Sequence, residues 1–184
     1  MRLKPFSLIF VLVVIQSCCF TRGKEIGRVQ FTIEEKAKLP YTDDQNVDFI
    51  TNEDFEFTLN SRVYTSFDSN QYHCEDYTSY ETYVVNLVSD LPTLDIQLWL
   101  QHNYSEPEAD DFNNYISIEI NRQWFYYDVN QPLESLEING ITYTDVYRYT
   151  AGNEESPITE VFFKEAVGIL KLNYTNGDYV QINS

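Results

Sequence analysis

Residues Leu94 to Gln101 alternate without a break: Leu94, Ile96, Leu98 and Leu100 are apolar, and Asp95, Gln97, Trp99 and Gln101 stand between them. Period two sends successive side chains to opposite faces of an extended chain, so the segment reads as a half-buried strand and excludes an amphipathic helix. The same period runs through Val29, Phe31 and Ile33, through Phe55, Phe57 and Leu59, and through Ile116, Ile118 and Ile120. It recurs in Val63 to Phe67 and Tyr83 to Leu87. The best helical segment is a single turn around Glu34 to Lys38, stopped by Pro40. Asn139-Gly140 and Asn176-Gly177 supply the residues that type I′ hairpin turns need. The expected fold is all-β, an antiparallel meander forming a sandwich or a partly closed barrel, with at most short helical turns.

The N-terminus is of a different kind. Arg2 and Lys4 precede the apolar run Leu8 to Ile15, the order of a secretory signal peptide. Eight apolar residues fall well short of the roughly 20 needed to cross a bilayer. Ile15-Gln16-Ser17-Cys18 resembles the lipobox of bacterial lipoproteins, with an aliphatic residue at minus three, a small one at minus one and then the acceptor cysteine. That resemblance implies lipid modification of Cys18, which makes the mature chain anchored rather than spanning, since more than one acyl chain gives stable attachment. An ordinary signal peptide is the alternative at this site. Asn103-Tyr104-Ser105 and Asn173-Tyr174-Thr175 match the glycosylation acceptor and leave a eukaryotic origin open. The implied organisation is a signal peptide over 1–17, a lipidated tether over 18–27, and a single β-domain over 28–184.

The segment from Glu160 to Leu172, with Val167-Gly168-Ile169 at its centre, and the hairpin Tyr174-Thr175-Asn176-Gly177-Asp178-Tyr179-Val180 after it resemble a closing motif of Bacteroidetes envelope lipoproteins. Leu136 to Tyr143 with Val146 also fits that pattern. The likeness covers roughly residues 135 to 182 and carries over no catalytic residue. It implies a cell-envelope address, with the chain held to the outer membrane. No acidic run follows Cys18, so a periplasm-facing position is favoured over the cell surface. Gly168 is expected at a bulge or a close backbone approach.

Charge narrows the partners. Lys and Arg number 12 against 29 Asp and Glu, and the formal net charge is −17. Such a field repels phosphate backbones, which excludes nucleic acid. With Cys18 assigned to lipid, Cys19 and Cys74 remain as a possible disulfide or as two free thiols.

Catalytic chemistry finds little footing. His73 and Cys74 are sequence neighbours, which in a strand would point to opposite faces, no G-x-S-x-G elbow occurs, and His102 is the only other histidine. Glu119 and Glu137, the candidate carboxylates for glycoside hydrolysis, are expected to face solvent. Asp44, Asn46 and Asp48 have a calcium-loop spacing, but Phe49 and Phe55 occupy the positions that need glycine and the bidentate glutamate. The acidic run 106–111 offers at most adventitious calcium binding. No catalytic residue, metal site or cofactor is expected.

Aromatic residues, 16% of the chain, are the positive signal. Trp124-Phe125-Tyr126-Tyr127 puts rings on both faces of one strand, and tyrosines including Tyr77 and Tyr80 crowd an earlier region. Trp124, Tyr126, Tyr127, Tyr77 and Tyr80 are therefore the candidate ligand-binding residues. They point to a non-catalytic binding or accessory domain with a protein or glycan partner. A glycan-active enzyme with paired carboxylates and a purely structural envelope protein are the alternatives.

Overall fold

The alternating segments become strands in the computed structural model, which describes residues 23–69, 75–102, 114–127, 134–153 and 155–183. Cys18, Cys19, Tyr72, His73, Cys74 and the acidic run 106–111 lie outside the described residues. The described strands are β1 (Glu25–Val29), β2 (Asn46–Thr51), β3 (Glu56–Ser69), β4 (Tyr77–Asp90), β5 (Thr93–Gln101), β6 (Tyr115–Ile120), β7 (Gln123–Tyr127), β8 (Glu134–Ile138), β9 (Ile141–Ala151), β10 (Ile158–Lys164), β11 (Gly168–Tyr174) and β12 (Tyr179–Ile182). One helical turn, α1 (Ile33–Lys36), stands among them.

The described residues divide into two compact units, one of residues 23–30 with 67–69 and 75–81, the other drawn from Phe31–Ser66 and Thr82–Ser184. In the first, β1 pairs in parallel with the start of β4, Glu25 facing Tyr77 and Val29 facing Tyr80. β1 begins inside the segment read from sequence as tether. Arg28 pairs with Glu25 at 2.9 Å and lies 4.5 Å from the centre of the Phe67 ring.

The second unit is an antiparallel barrel. Ten strands follow one another in the order β4-β3-β2-β12-β11-β10-β9-β7-β6-β5, and β5 pairs back to β4 to close the ring. Closure leaves the wall without an open edge. Parity decides the core: Leu94, Ile96, Leu98 and Leu100 point inward and are at most 2% exposed, as do Phe49, Leu59, Ile118, Phe125, Val161 and Phe163. Each such side chain contributes roughly 1.5–3 kcal/mol by leaving water. On β11, Ile169 and Leu172 both join this core although they stand three positions apart. A register shift against β10 between Phe162 and Phe163 absorbs the odd spacing.

The outer face of β10 and β11 is covered as well. β9 leaves the wall before Tyr147 and pairs with β8, and this hairpin encloses a second cluster of Ile138, Val146, Phe162 and Leu170. Lys164 Nζ donates to the Thr144 carbonyl at 2.5 Å, and Gln181 Nε2 to Asn139 Oδ1 at 3.2 Å. Arg148 spans Glu134 at 3.3 Å and Glu160 at 3.7 Å.

Two local expectations are corrected, and one turn is added. Phe31 is buried but Ile33 is exposed and opens α1, because Thr32 and Glu35 form a capping box that starts a helix where alternation suggested a strand. Thr32 Oγ1 accepts from the Glu35 amide at 3.1 Å, and Glu35 Oε2 accepts from the Thr32 amide at 2.7 Å. Asn139-Gly140 is a two-residue turn with φ of 51° and 78°, as a type I′ turn requires, whereas at Asn176-Gly177 only Gly177 has positive φ. There the amide of Tyr174 donates to the Asp178 carbonyl and closes a three-residue loop instead. Finally, Asn121 and Arg122, without a glycine, make the tight turn between β6 and β7 at φ 50° and 68°.

Candidate functional site

Four rings close one end of the barrel interior. Tyr127, the last residue of β7, meets Tyr147 edge-on at 5.2 Å and Tyr149 at 5.7 Å, and Tyr149 meets Phe163 edge-on at 6.4 Å. Register brings them together, since β9 lies between β7 and β10: Tyr127 faces Tyr149, and Phe163 faces Tyr147. Tyr149 donates its hydroxyl to the Ile116 carbonyl at 3.3 Å.

These rings line a cavity of about 890 Å³ at the barrel end. Tyr115 on β6 and Trp124 and Tyr126 on β7 add to it, and they are 45%, 40% and 59% exposed. Its polar lining comes from Lys38, Asn114, Ser117 and Glu165. Lys38 and Glu165 face each other at 3.6 Å. They are held there by backbone: the Ala166 amide donates to the Lys38 carbonyl at 3.1 Å, and the Ile169 amide donates to the Tyr41 hydroxyl at 2.7 Å. Asn114 donates to Glu35 Oε1, tying the start of β6 to α1.

Burial sets the electrostatics of the phenols. Tyr149 is pushed well up by loss of water, with Tyr147 and Glu165 adding to the effect. Tyr147 is raised by burial first and then by the Glu165 charge. Both stay neutral hydrogen-bonding groups at ordinary pH.

A shallower groove of about 500 Å³ lies further along β7, lined by Asn121, Arg122, Gln123, Gly152, Asn153 and Glu155. Trp124 and Tyr126 line it too, so these two rings belong to both depressions. Trp124 rests beside Trp99 of β5, their centroids 6.1 Å apart.

Of the residues expected from sequence, Trp124, Tyr126 and Tyr127 come together here. Tyr77 and Tyr80 are half-buried strand residues of the first unit and line neither depression. Lys38, Tyr115, Tyr147, Tyr149 and Glu165 were not singled out. Tyr147 and Tyr149 did carry a signal, since alternate tyrosines on a strand put two phenols on one face.

The remaining chemical candidates have other surroundings. Glu119 stands half-exposed across from Trp124, and Glu137 is exposed on β8. His102 is buried and stacks on Phe31 with centroids 4.0 Å apart. Of the residues with calcium-loop spacing, Asp48 accepts from the Thr58 hydroxyl at 2.7 Å and so fastens β2 to β3, and the Asp44 amide donates to the Ser61 carbonyl at 3.0 Å. Among the described residues no group of three or more His, Cys, Asp or Glu side chains is placed to hold a metal ion. No described helix is long and apolar enough to cross a membrane. Compared with protein-family models, with curated proteins and with solved structures, the chain matches none.

Proposed function

We propose that this chain is a lipid-anchored domain of the bacterial envelope that binds a protein or glycan partner at the barrel end and leaves it chemically unchanged. The observation that carries the reading is the 890 Å³ cavity, where fixed, buried rings adjoin exposed ones and a few polar groups. Concave sites of mixed aromatic and polar lining are where ligands bury most surface. A glycan-active enzyme gains less support, because Glu165 is the one carboxylate among the described lining residues and it already faces Lys38. Two-carboxylate hydrolysis needs a partner acid at a set separation. The lipobox-like Ile15-Gln16-Ser17-Cys18 supports attachment to the outer membrane through Cys18, and the missing acidic run after it supports the periplasmic face.

Two experiments test the reading. Metabolic labelling with a fatty acid is expected to mark the wild-type chain, and Cys18→Ser is expected to leave an unlabelled precursor; an unlabelled wild type refutes the anchor. At the barrel end, the Tyr126→Ala and Tyr147→Ala chains are expected to lose a partner that wild type captures and returns intact. A partner recovered as cleaved product, with turnover abolished in Glu165→Gln, would make the domain an enzyme.

A further inference from the structure

The stripe formed by Trp124 and Tyr126 belongs at once to the barrel-end cavity and to the groove beyond it. Their parity on β7 puts both rings on the outer face, and both are substantially exposed. From Gln123 to Tyr127 the strand advances about 13 Å, longer than any single sugar ring. The depressions on either side of these rings thus form one elongated track rather than a closed pocket for a small molecule.

The Tyr126 ring is held in place by an absence of side chain. A β-carbon on Gly152 would stand 2.4 Å from Tyr126 Cε2 and 3.0 Å from Cδ2, so one edge of the ring lies against bare backbone while the residue stays 59% exposed. The Gly152 amide donates to the Trp124 carbonyl at 3.1 Å, which fixes that backbone to β7. Trp99 packs beside Trp124 with the two ring planes tilted by 44°. These contacts narrow the freedom of both rings before any ligand arrives, which lowers the entropic cost of binding.

Charge then selects the occupant. The described residues of the track carry two cations, Lys38 and Arg122, and two anions, Glu155 and Glu165, with Glu119 as a third acid across from Trp124. This near-balance sits within a chain of net charge −17. A polyanion meets the field of the whole molecule, and a polycation finds an excess of a single acid, too small a cluster to hold it. Flat aromatic faces flanked by amides and hydroxyls suit a ligand with apolar C–H faces and neutral hydroxyl edges. We infer that the track along β7 binds a neutral oligosaccharide of more than one sugar residue, with rings stacked on Trp124 and Tyr126 and hydroxyls bonded to groups at either end. This rests on the barrel end being a binding site and specifies what it takes.

The full chain, purified in detergent, is titrated with neutral gluco-, manno- and xylo-hexasaccharides, with the matching monosaccharides, with oligogalacturonate, with a chitosan oligomer, and with an uncharged extended peptide. Intrinsic tryptophan fluorescence and calorimetry report binding. At least one neutral hexasaccharide is expected to bind about tenfold or more tighter than its monosaccharide. Trp124→Ala and Tyr126→Ala should each weaken it about tenfold. Gly152→Ala, which moves only the Tyr126 ring, should weaken binding while leaving the thermal midpoint near wild type. Binding of the peptide or a charged oligosaccharide in preference, dependent on the same rings, overturns the sugar inference and leaves the barrel end as a binding site. Sugar binding untouched by all three variants places the ligand elsewhere and overturns both readings. Absence of binding by every probe overturns the sugar inference, and the capture experiment then decides the binding site alone.

Discussion

The hydroxyl of Tyr41 occupies the space a side chain on Gly168 would need: a β-carbon there would lie 2.0 Å from the phenolic oxygen. Gly168 also has φ of 102°, which side chains resist. Gly168→Ala therefore meets a steric and a backbone penalty together and is expected to cost about 2 kcal/mol or more. Tyr41→Phe removes the acceptor of the buried Ile169 amide and is expected to cost about 1–3 kcal/mol. Urea midpoints of the two variants check both values. Because this contact sets the turn that carries Glu165, either change should also weaken binding at the barrel end.

Phe162 and Phe163 point to opposite faces of β10, yet both are buried, one under the β8–β9 hairpin and one in the barrel. Phe163→Ala and Phe162→Ala are each expected to cost about 3–5 kcal/mol. Denaturant midpoints measure the two losses. A large loss at Phe163 with little at Phe162 would mean that the hairpin does not cover β10.

High pH should loosen the barrel. Burial raises the phenols of Tyr41, Tyr147, Tyr149 and Tyr174 above their ordinary value. A raised acid contributes stability that is whole below its unfolded pKa, about 10 for tyrosine, and is lost as pH rises through the folded value. Unfolding midpoints are expected to fall steadily above about pH 10, with tyrosinate absorbance near 295 nm rising in step. Appearance of tyrosinate without loss of stability would show that these phenols are open to water.

At the acid end the relevant group is Glu35. Burial works to raise its pKa, but hydrogen bonds from Thr32 and Asn114 outweigh that and hold it below the usual carboxylate value. Its contribution is present above the unfolded pKa and lost as pH falls through the lowered one. Thr32→Ala should cost about 1 kcal/mol at neutral pH. In Glu35→Gln, the fall in stability between about pH 5 and pH 3 should be shallower than in wild type.

Period two was enough to read the inward set of β5 and β6 from sequence, because parity is local to one strand. Order around the ring is not local. Nothing in Lys38, Tyr147 or Glu165 indicates that they share a rim with Trp124, since that depends on β9 running between β7 and β10. Alternation also misled at Phe31 to Ile33, where the Thr32 and Glu35 capping box outweighs the apolar spacing. At Asn121-Arg122 a glycine-free turn concealed a hairpin that places Arg122 beside the two exposed rings.

β9 serves two neighbours in succession, its first half bonded to β8 and its second half set in the wall. Amide exchange should divide at the same place. Amides of β8 and of β9 before Val146 can open with the hairpin alone, at a free energy below that of global unfolding. Those from Tyr147 onward exchange only when the ring itself breaks. Each hairpin opening would uncover Phe162 and Leu170 side by side on a closed barrel, giving a sticky species that is still folded. The route to self-association in a concentrated sample would then run through the flap and leave the core intact.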